Sequence, residues 1–222
     1  MKGKQDIMKK LIIAIAILAM ALIACGKSQP SVTPPASNPD GKVIYSTDFS
    51  KNDKNWDEGV HNQDEVRIRN GQMTINVQTT NWDLWTNPND LKVTDYVVVD
   101  VDVQRIAGPE DGTYGIICDY QDLDTYYGLI LADDGYAEIY RWVGGQYETL
   151  ASQQGVSLNP GAMNHLTAYC GTSNLSLSVN GITVLEATGK DLGTGNVGLI
   201  AGAFDPSNVQ FAFDNFVVST LP

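Results

Sequence analysis

The chain has 222 residues, with 26 acidic against 14 basic side chains and a formal net charge of −12. A polyanion is bound by clustered Lys and Arg, so this balance argues against nucleic acid as a partner. The acidity is typical of a well-solvated surface or of loop carboxylates that bind Ca²⁺.

The N-terminus has the pattern of a targeting segment. Two lysines precede an apolar run over residues 11–24, which is short for a bilayer span but suits a signal-peptide core. The run ends in Leu-Ile-Ala-Cys-Gly, which resembles the lipobox of bacterial lipoproteins, where a diacylglyceryl group is attached to the Cys. We therefore predict a signal peptide over 1–24, lipidation at Cys25 and an extracytoplasmic protein anchored to the bacterial cell membrane. The alternative is an ordinary secretory signal with a coincidental Cys.

Residues 25–42 are rich in Pro, Ser and Gly and predict a disordered tether. The remaining residues, 43–222, suffice for one domain. Its segments alternate as β-strands do, and none of 12 or more residues has a helical period. The predicted strands are 43–49, 65–69, 72–77, 82–86, 95–104, three within 112–142, 147–152, 164–170, 174–180, 182–188, 195–202 and 209–220. So many short strands without helices predict an all-β, two-sheet antiparallel sandwich, with tight hairpins at Asn70-Gly71 and Asn180-Gly181.

Residues 112–142 form the centre of this pattern. Three ring-rich strands are joined by a polar turn at 122–125 and by Asp133-Asp134-Gly135. Apolar side chains occur on both parities, which predicts a sheet with one face on the core and the other lined with rings. We interpret most aspartates of this stretch, including Asp133, as turn residues.

Two cysteines remain within the domain, Cys118 and Cys170, each in a predicted strand. Leu166, Ala168 and Cys170 share one parity, so Cys170 is expected to point inward. An extracytoplasmic compartment preserves disulfides, and we predict one between Cys118 and Cys170.

Several segments together resemble one family. They are DF near the start with a following Trp, YGIICDYQD, YYGLILADDGYAEIYR, NLSLSVNG, VGLIAG and VQFAFDNFVV. The combination is similar to the concanavalin A-like lectin/glucanase superfamily, and more narrowly to laminin-G-like and 3-keto-disaccharide-hydrolase-like jelly rolls found on bacterial lipoproteins. The resemblance covers nearly all of 43–220. It implies a jelly roll with one concave sheet that binds saccharide on its face or rim.

The resemblance also suggests a metal site. In similar sandwiches a Ca²⁺ often bridges the first and last strands, and here Asp48 and Asp214 would supply oxygen ligands, helped by backbone carbonyls. The alternative is that Asp48 caps a turn and Asp214 accepts from loop amides. No other cofactor is expected.

Catalytic patterns are weak. Glycanases of the superfamily carry Glu-x-Asp-x-x-Glu on one strand, and this chain lacks it. Asp100 and Asp102 share a strand face but have no third acid, and we interpret them as solvated. His61 is placed in a polar loop and His165 at an outward strand position, with no Gly-x-Ser-x-Gly elbow. A non-catalytic protein is therefore expected, with a glycoside or keto-disaccharide hydrolase as the alternative.

Rings provide the strongest functional signal, because flat side chains stack on the C–H faces of sugars while nearby polar groups bind the hydroxyls. Tyr136, Glu138, Tyr140 and Trp142 share one parity, and Arg141 has the other. The predicted saccharide-binding residues are Trp82, Trp85, Asp119, Tyr136, Glu138, Tyr140, Arg141 and Trp142. We predict a monomeric carbohydrate-binding lipoprotein, with a protein-binding adhesion or assembly module as a further alternative.

Overall fold

The computed structural model describes residues 41–51, 54–91, 93, 96–171, 173–205 and 208–221. The predicted signal peptide, Cys25 and nearly all of the tether lie outside these residues. Within the described ranges, no helix has the length and apolar character needed to cross a bilayer.

Fifteen strands account for most of the described residues. In chain order they are β1 Val43–Thr47, β2 Gly59–His61, β3 Asp64–Arg69, β4 Gln72–Val77, β5 Trp82–Thr86, β6 Val97–Ala107, β7 Thr113–Asp122, β8 Thr125–Ala132, β9 Ala137–Val143, β10 Gln146–Gln153, β11 Asn164–Cys170, β12 Asn174–Val179, β13 Ile182–Thr188, β14 Asn196–Ala203 and β15 Val209–Thr220.

The strands form two antiparallel sheets. The larger has nine strands in the order β13-β12-β11-β6-β15-β4-β3-β2, with β1 paired to β15, and the smaller has the order β10-β9-β8-β7-β14-β5. This is the all-β sandwich that the alternation predicts. The central segment 112–142 supplies β7, β8 and β9, which are neighbours in the smaller sheet.

The core lies between the sheets because alternate residues of both point inward. Val99, Val101 and Val103 of β6 are fully buried and belong to the same cluster as Tyr114 and Leu129 of the smaller sheet. The predicted disulfide is confirmed: Cys118 of β7 is bonded to Cys170 of β11, with the two Cα atoms 5.5 Å apart. The bond therefore joins the two sheets across the core.

The predicted hairpins are also confirmed. Both residues of Asn70-Gly71 and of Asn180-Gly181 have positive φ, as a two-residue turn of this kind requires. One local expectation is wrong, because His61 lies in β2 rather than in a loop. Asp133 lies in the turn between β8 and β9, as predicted, but its side chain is buried.

Asp133 connects segments that are distant in sequence. Its Oδ2 accepts hydrogen bonds from Arg105 Nε at 2.8 Å and from the Gly161 amide at 2.7 Å, and its Oδ1 accepts one from the Tyr114 hydroxyl at 2.9 Å. A buried carboxylate is stable only with such partners. Asp133 thus links β6, the core and the connection before β11.

Candidate functional site

The outer face of the six-stranded sheet carries a second apolar layer. Its members are Ile117, Tyr126, Ile130, Tyr140 and Ile200, with Trp85, Tyr120 and Trp142 packed against them. None of the five is more than 7% exposed. Large side chains that are buried on an outward-facing surface must be covered by neighbouring rings. We call this surface the ring face and define it by Trp85, Tyr120, Tyr126, Tyr140, Trp142 and Tyr147.

Ring-to-ring contacts hold the ring face together. Tyr140 stacks on Tyr147 with centroids 4.7 Å apart and an interplanar angle of 22°, and it meets Tyr126 edge-on at 6.2 Å. Trp85 lies 5.8 Å from Tyr126. Offset stacks and edge contacts of this kind are the favoured arrangements of aromatic pairs. The rings are therefore held in place before any ligand arrives.

Glycines make room for the groups that lie flat on this sheet. A Cβ added at Gly128 would come within 2.3 Å of the Tyr140 ring, and one at Gly202 within 2.2 Å of Asp83 Oδ1. Gly128 is paired with Tyr140, and Gly202 with Asp83, in the strand register. Tyr140 from β9 and Asp83 from β5 consequently lean toward each other across the sheet, and the Tyr140 hydroxyl lies 3.5 Å from Asp83 Oδ2.

Two carboxylates belong to this surface. Burial raises the pKa of Asp83 to about 6; the Tyr140 hydroxyl opposes that shift and the negative charge of Glu138 adds to it. Glu138 accepts hydrogen bonds from the Tyr136 hydroxyl at 2.9 Å and from Thr149 Oγ1 at 2.6 Å. Both acids are thus held as acceptors amid rings.

The structure brings together five of the eight predicted binding residues. Trp85, Tyr140 and Trp142 belong to the ring face, Glu138 lies among them, and Tyr136 reaches the same surface through its bond to Glu138. Tyr140, however, is only 1% exposed. Tyr140 therefore lies beneath the other rings. The accessible rings are those of the half-buried Trp85 and Trp142 and of the exposed Tyr147.

The other three predicted residues are placed elsewhere. Arg141 alternates with its ring-bearing neighbours, and its guanidinium pairs with Glu148. Asp119 lies at a bulge with a φ of 50° and is buried; burial together with the charge of Asp191 raises its pKa to about 7. Trp82 has the opposite strand parity to Trp85 on β5, and it lines a groove beside the ring face to which Trp85 also contributes.

Sequence reasoning missed Asp83 and Tyr147. Asp83 shares the parity of Trp85 on β5, which was a signal available in the sequence. Tyr147 lies directly opposite Trp142 in the β9–β10 hairpin. The hairpin turn at Gly144-Gly145 would have indicated that pairing.

The two proposed calcium ligands, Asp48 and Asp214, form hydrogen bonds to nearby backbone and side-chain groups, as the alternative to a calcium site predicts. Asp48 Oδ1 accepts from the Ser50 amide and hydroxyl, and Asp214 Oδ1 accepts from the Asn215 amide. Burial raises the pKa of Asp214, and the charge of Asp48 contributes to this, so the two acids are near one another. In the described part of the chain no cluster of three or more His, Cys, Asp or Glu side chains is arranged to hold a metal ion. Two carboxylates supply only a few of the six to eight oxygen ligands that Ca²⁺ takes.

The opposite side of the molecule holds a polar cluster. His165 Nδ1 lies 2.7 Å from Asp102 Oδ1 and its Nε2 lies 3.3 Å from Asp100 Oδ1, while Asn215 donates to Asp102 at 2.8 Å. Asp100 and Asp102 are 2% and 8% exposed, so their interpretation as solvated acids is wrong. Burial opposes the charged imidazolium, but the hydrogen bonds to both aspartates raise the pKa of His165 to about 9.

No family model matches the chain, and no curated protein matches its sequence. Solved structures do match. A carbohydrate-binding module from Bacillus subtilis, CBM66, has a TM-score of 0.60 at 12% identity, covering 75% of this chain and 96% of that chain. The carbohydrate recognition domain of Emp46p, in a metal-free form, has a TM-score of 0.56 at 13% identity, covering 78% and 91%. A Bacillus licheniformis β-glucanase has a TM-score of 0.59 at 10% identity, covering 82% and 100%. Identities this low show the fold alone, which is the concanavalin A-like sandwich that binding modules and glucanases share.

Proposed function

We propose that the protein is a surface-anchored lipoprotein that binds an uncharged saccharide on the ring face and does not cleave it. The observation that carries this proposal is a layer of pre-stacked rings with two carboxylate acceptors on the outer face of the smaller sheet. Rings stack on sugar faces, and carboxylates accept from sugar hydroxyls. The binding modules that share the fold support the same conclusion.

The anchor is proposed from the sequence. The apolar run that ends at Cys25 and the Pro-rich tether would hold the domain outside the cell membrane. Labelling of the expressed protein with a radioactive fatty acid, compared with Cys25→Ala, tests this part separately. Equal label in both proteins would contradict it.

Affinity electrophoresis of the purified protein tests binding, with neutral polysaccharides such as laminarin, xylan and a soluble cellulose derivative in the gel. We expect retardation by at least one of them. Trp142→Ala should abolish most of it, because the indole is one of the accessible rings of the ring face. Ile182→Ala is the matched control, since Ile182 is 65% exposed on β13 of the other sheet. A wild type that is not retarded by any polysaccharide, or a Trp142→Ala protein retarded like the control, would overturn the proposal.

One observation favours a second candidate, a glycoside hydrolase. Burial raises the pKa of Asp83 to about 6, and the negative charge of Glu138 adds to that shift. Glycosidases use a carboxylic acid with a raised pKa beside a second carboxylate as their catalytic pair. Release of reducing sugar that is lost in both Asp83→Asn and Glu138→Gln would establish it. Retained release in either variant would exclude this pair.

A further inference from the structure

A groove lies beside the ring face, along the free edge of β5. It has a volume of about 490 Å³ and runs between β5 and the segment that leads into β2. Its lining includes Asp57, Glu58, His61, Trp82, Trp85 and Leu123.

The wall of the groove is fixed by the fold. Trp56, which precedes it, is buried against Phe216 at 5.0 Å, and its indole donates to the Tyr45 hydroxyl at 2.7 Å. Asp57 accepts from the Asn89 amide group at 3.0 Å. Glu58 accepts from the Ile68 amide at 2.8 Å. A wall with these anchors keeps its shape without a ligand.

The lining has the chemistry of the ring face. Trp82 is 50% exposed and Leu123 is 66% exposed, so each presents a large apolar surface to water. The wall opposite adds two carboxylates and the His61 imidazole. Lysine and arginine are missing from the described lining, which favours a ligand without negative charge.

The groove and the ring face are continuous. Trp85 and Asp83 line the groove, and the same two residues contact Tyr126 and Tyr140 of the ring face. The six strands of this sheet span about 24 Å from β10 to β5 at their usual spacing. A ligand that crosses the strands therefore enters the groove at β5.

We propose that the groove is a second saccharide subsite, so that one uncharged sugar chain lies across the ring face and continues past Trp85 onto Trp82 and Leu123. This rests on the proposed function and extends it, because it makes the ligand an oligosaccharide of several units rather than a single terminal sugar. Trp82 is the stacking residue of the groove, and Trp142 is that of the far end.

Isothermal titration with cello- and laminari-oligosaccharides, from disaccharide to hexasaccharide, tests the proposal. We expect the wild type to bind more tightly with each added unit until the chain fills both subsites. Trp82→Ala should weaken hexasaccharide binding about tenfold, which corresponds to about 1.4 kcal/mol, and leave disaccharide binding unchanged. Trp142→Ala should weaken both. Leu123→Gln, at an exposed loop position, repeats the comparison if Trp82→Ala does not fold.

The outcomes separate the two proposals. Hexasaccharide affinity in Trp82→Ala and Leu123→Gln equal to that of Ile182→Ala would refute the second subsite while leaving the ring face intact. An equal loss for disaccharide and hexasaccharide would also refute it, because short ligands would then occupy the groove rather than the ring face. A wild type that binds no oligosaccharide of either series would overturn the proposed function itself.

Discussion

Replacing Asp83 by Asn should stabilise the free protein at neutral pH. The pKa of Asp83 is raised from 3.8 to about 6 chiefly because burial disfavours the carboxylate. The contribution of Asp83 to the free energy of unfolding is therefore fully present below pH 3.8 and is lost as the pH rises through about 6. At 1.36 kcal/mol for each pKa unit, the loss at pH 7 is on the order of 2–3 kcal/mol. An amide of the same shape carries no charge and removes this penalty.

Urea unfolding of wild type and Asp83→Asn at a series of pH values measures the effect. The difference in unfolding free energy should be small near pH 4 and should grow in favour of the variant up to pH 7. Glu186→Gln, at an exposed position on β13, is the control and should show no such growth. A difference that is constant with pH would refute the reasoning. In the same variant saccharide binding should weaken several-fold, because a charge-assisted hydrogen bond is replaced by a neutral one.

Three further predictions concern other parts of the molecule. The unfolding free energy should fall as the pH rises from 6.5 through about 9, where His165 loses its proton. His165→Gln should flatten this decline when it is measured by urea titrations. A pH dependence that is the same in His165→Gln as in the wild type would contradict an ion pair between His165 and the two aspartates. Reduction of the Cys118–Cys170 bond, which closes a separation of 52 residues, should lower stability by about 4 kcal/mol in the chain-entropy model and the melting temperature by about 10 °C, and an unaltered melting curve would argue against it. Polygalacturonate should retard the protein much less than a neutral polysaccharide at low salt, because Asp83 and Glu138 repel uronates, and equal retardation would show that these charges do not control selectivity.

Alternation was sufficient to predict most strands. The bounds of β5 and β11 agree with the sequence prediction because each has a buried face with regular period-two spacing. β2 was missed because three residues are too few to show a period, and its pairing with β3 depends on the loop anchored by Trp56. The burial of Asp133 was missed for a similar reason. Its partners Arg105, Tyr114 and Gly161 come from segments that only the assembled sandwich brings together.

The positions of site residues were predicted correctly where a strand alternates regularly, and they were not predicted where a β-bulge interrupts the alternation. β9 is regular against β8, so the face shared by Glu138, Tyr140 and Trp142 was correctly grouped. The register of β7 against β8 shifts between Cys118 and Asp122, and Asp119 lies within that shift. A parity count from the regular part of β7 therefore does not locate its side chain.

The ring face departs from what stability alone would select. A half-buried carboxylate at Asp83 with a raised pKa and a second acid nearby make the folded state less stable at neutral pH than an apolar surface would. The same sheet uses Gly128 and Gly202, which weaken strands, to make room for Tyr140 and Asp83. The destabilising carboxylate and the strand-weakening glycines thus occur together on one outward face of the sheet, where there is no core to fill. Such a concentration is expected where the surface is built to receive a ligand that replaces water over the rings and donates hydrogen bonds to the acids.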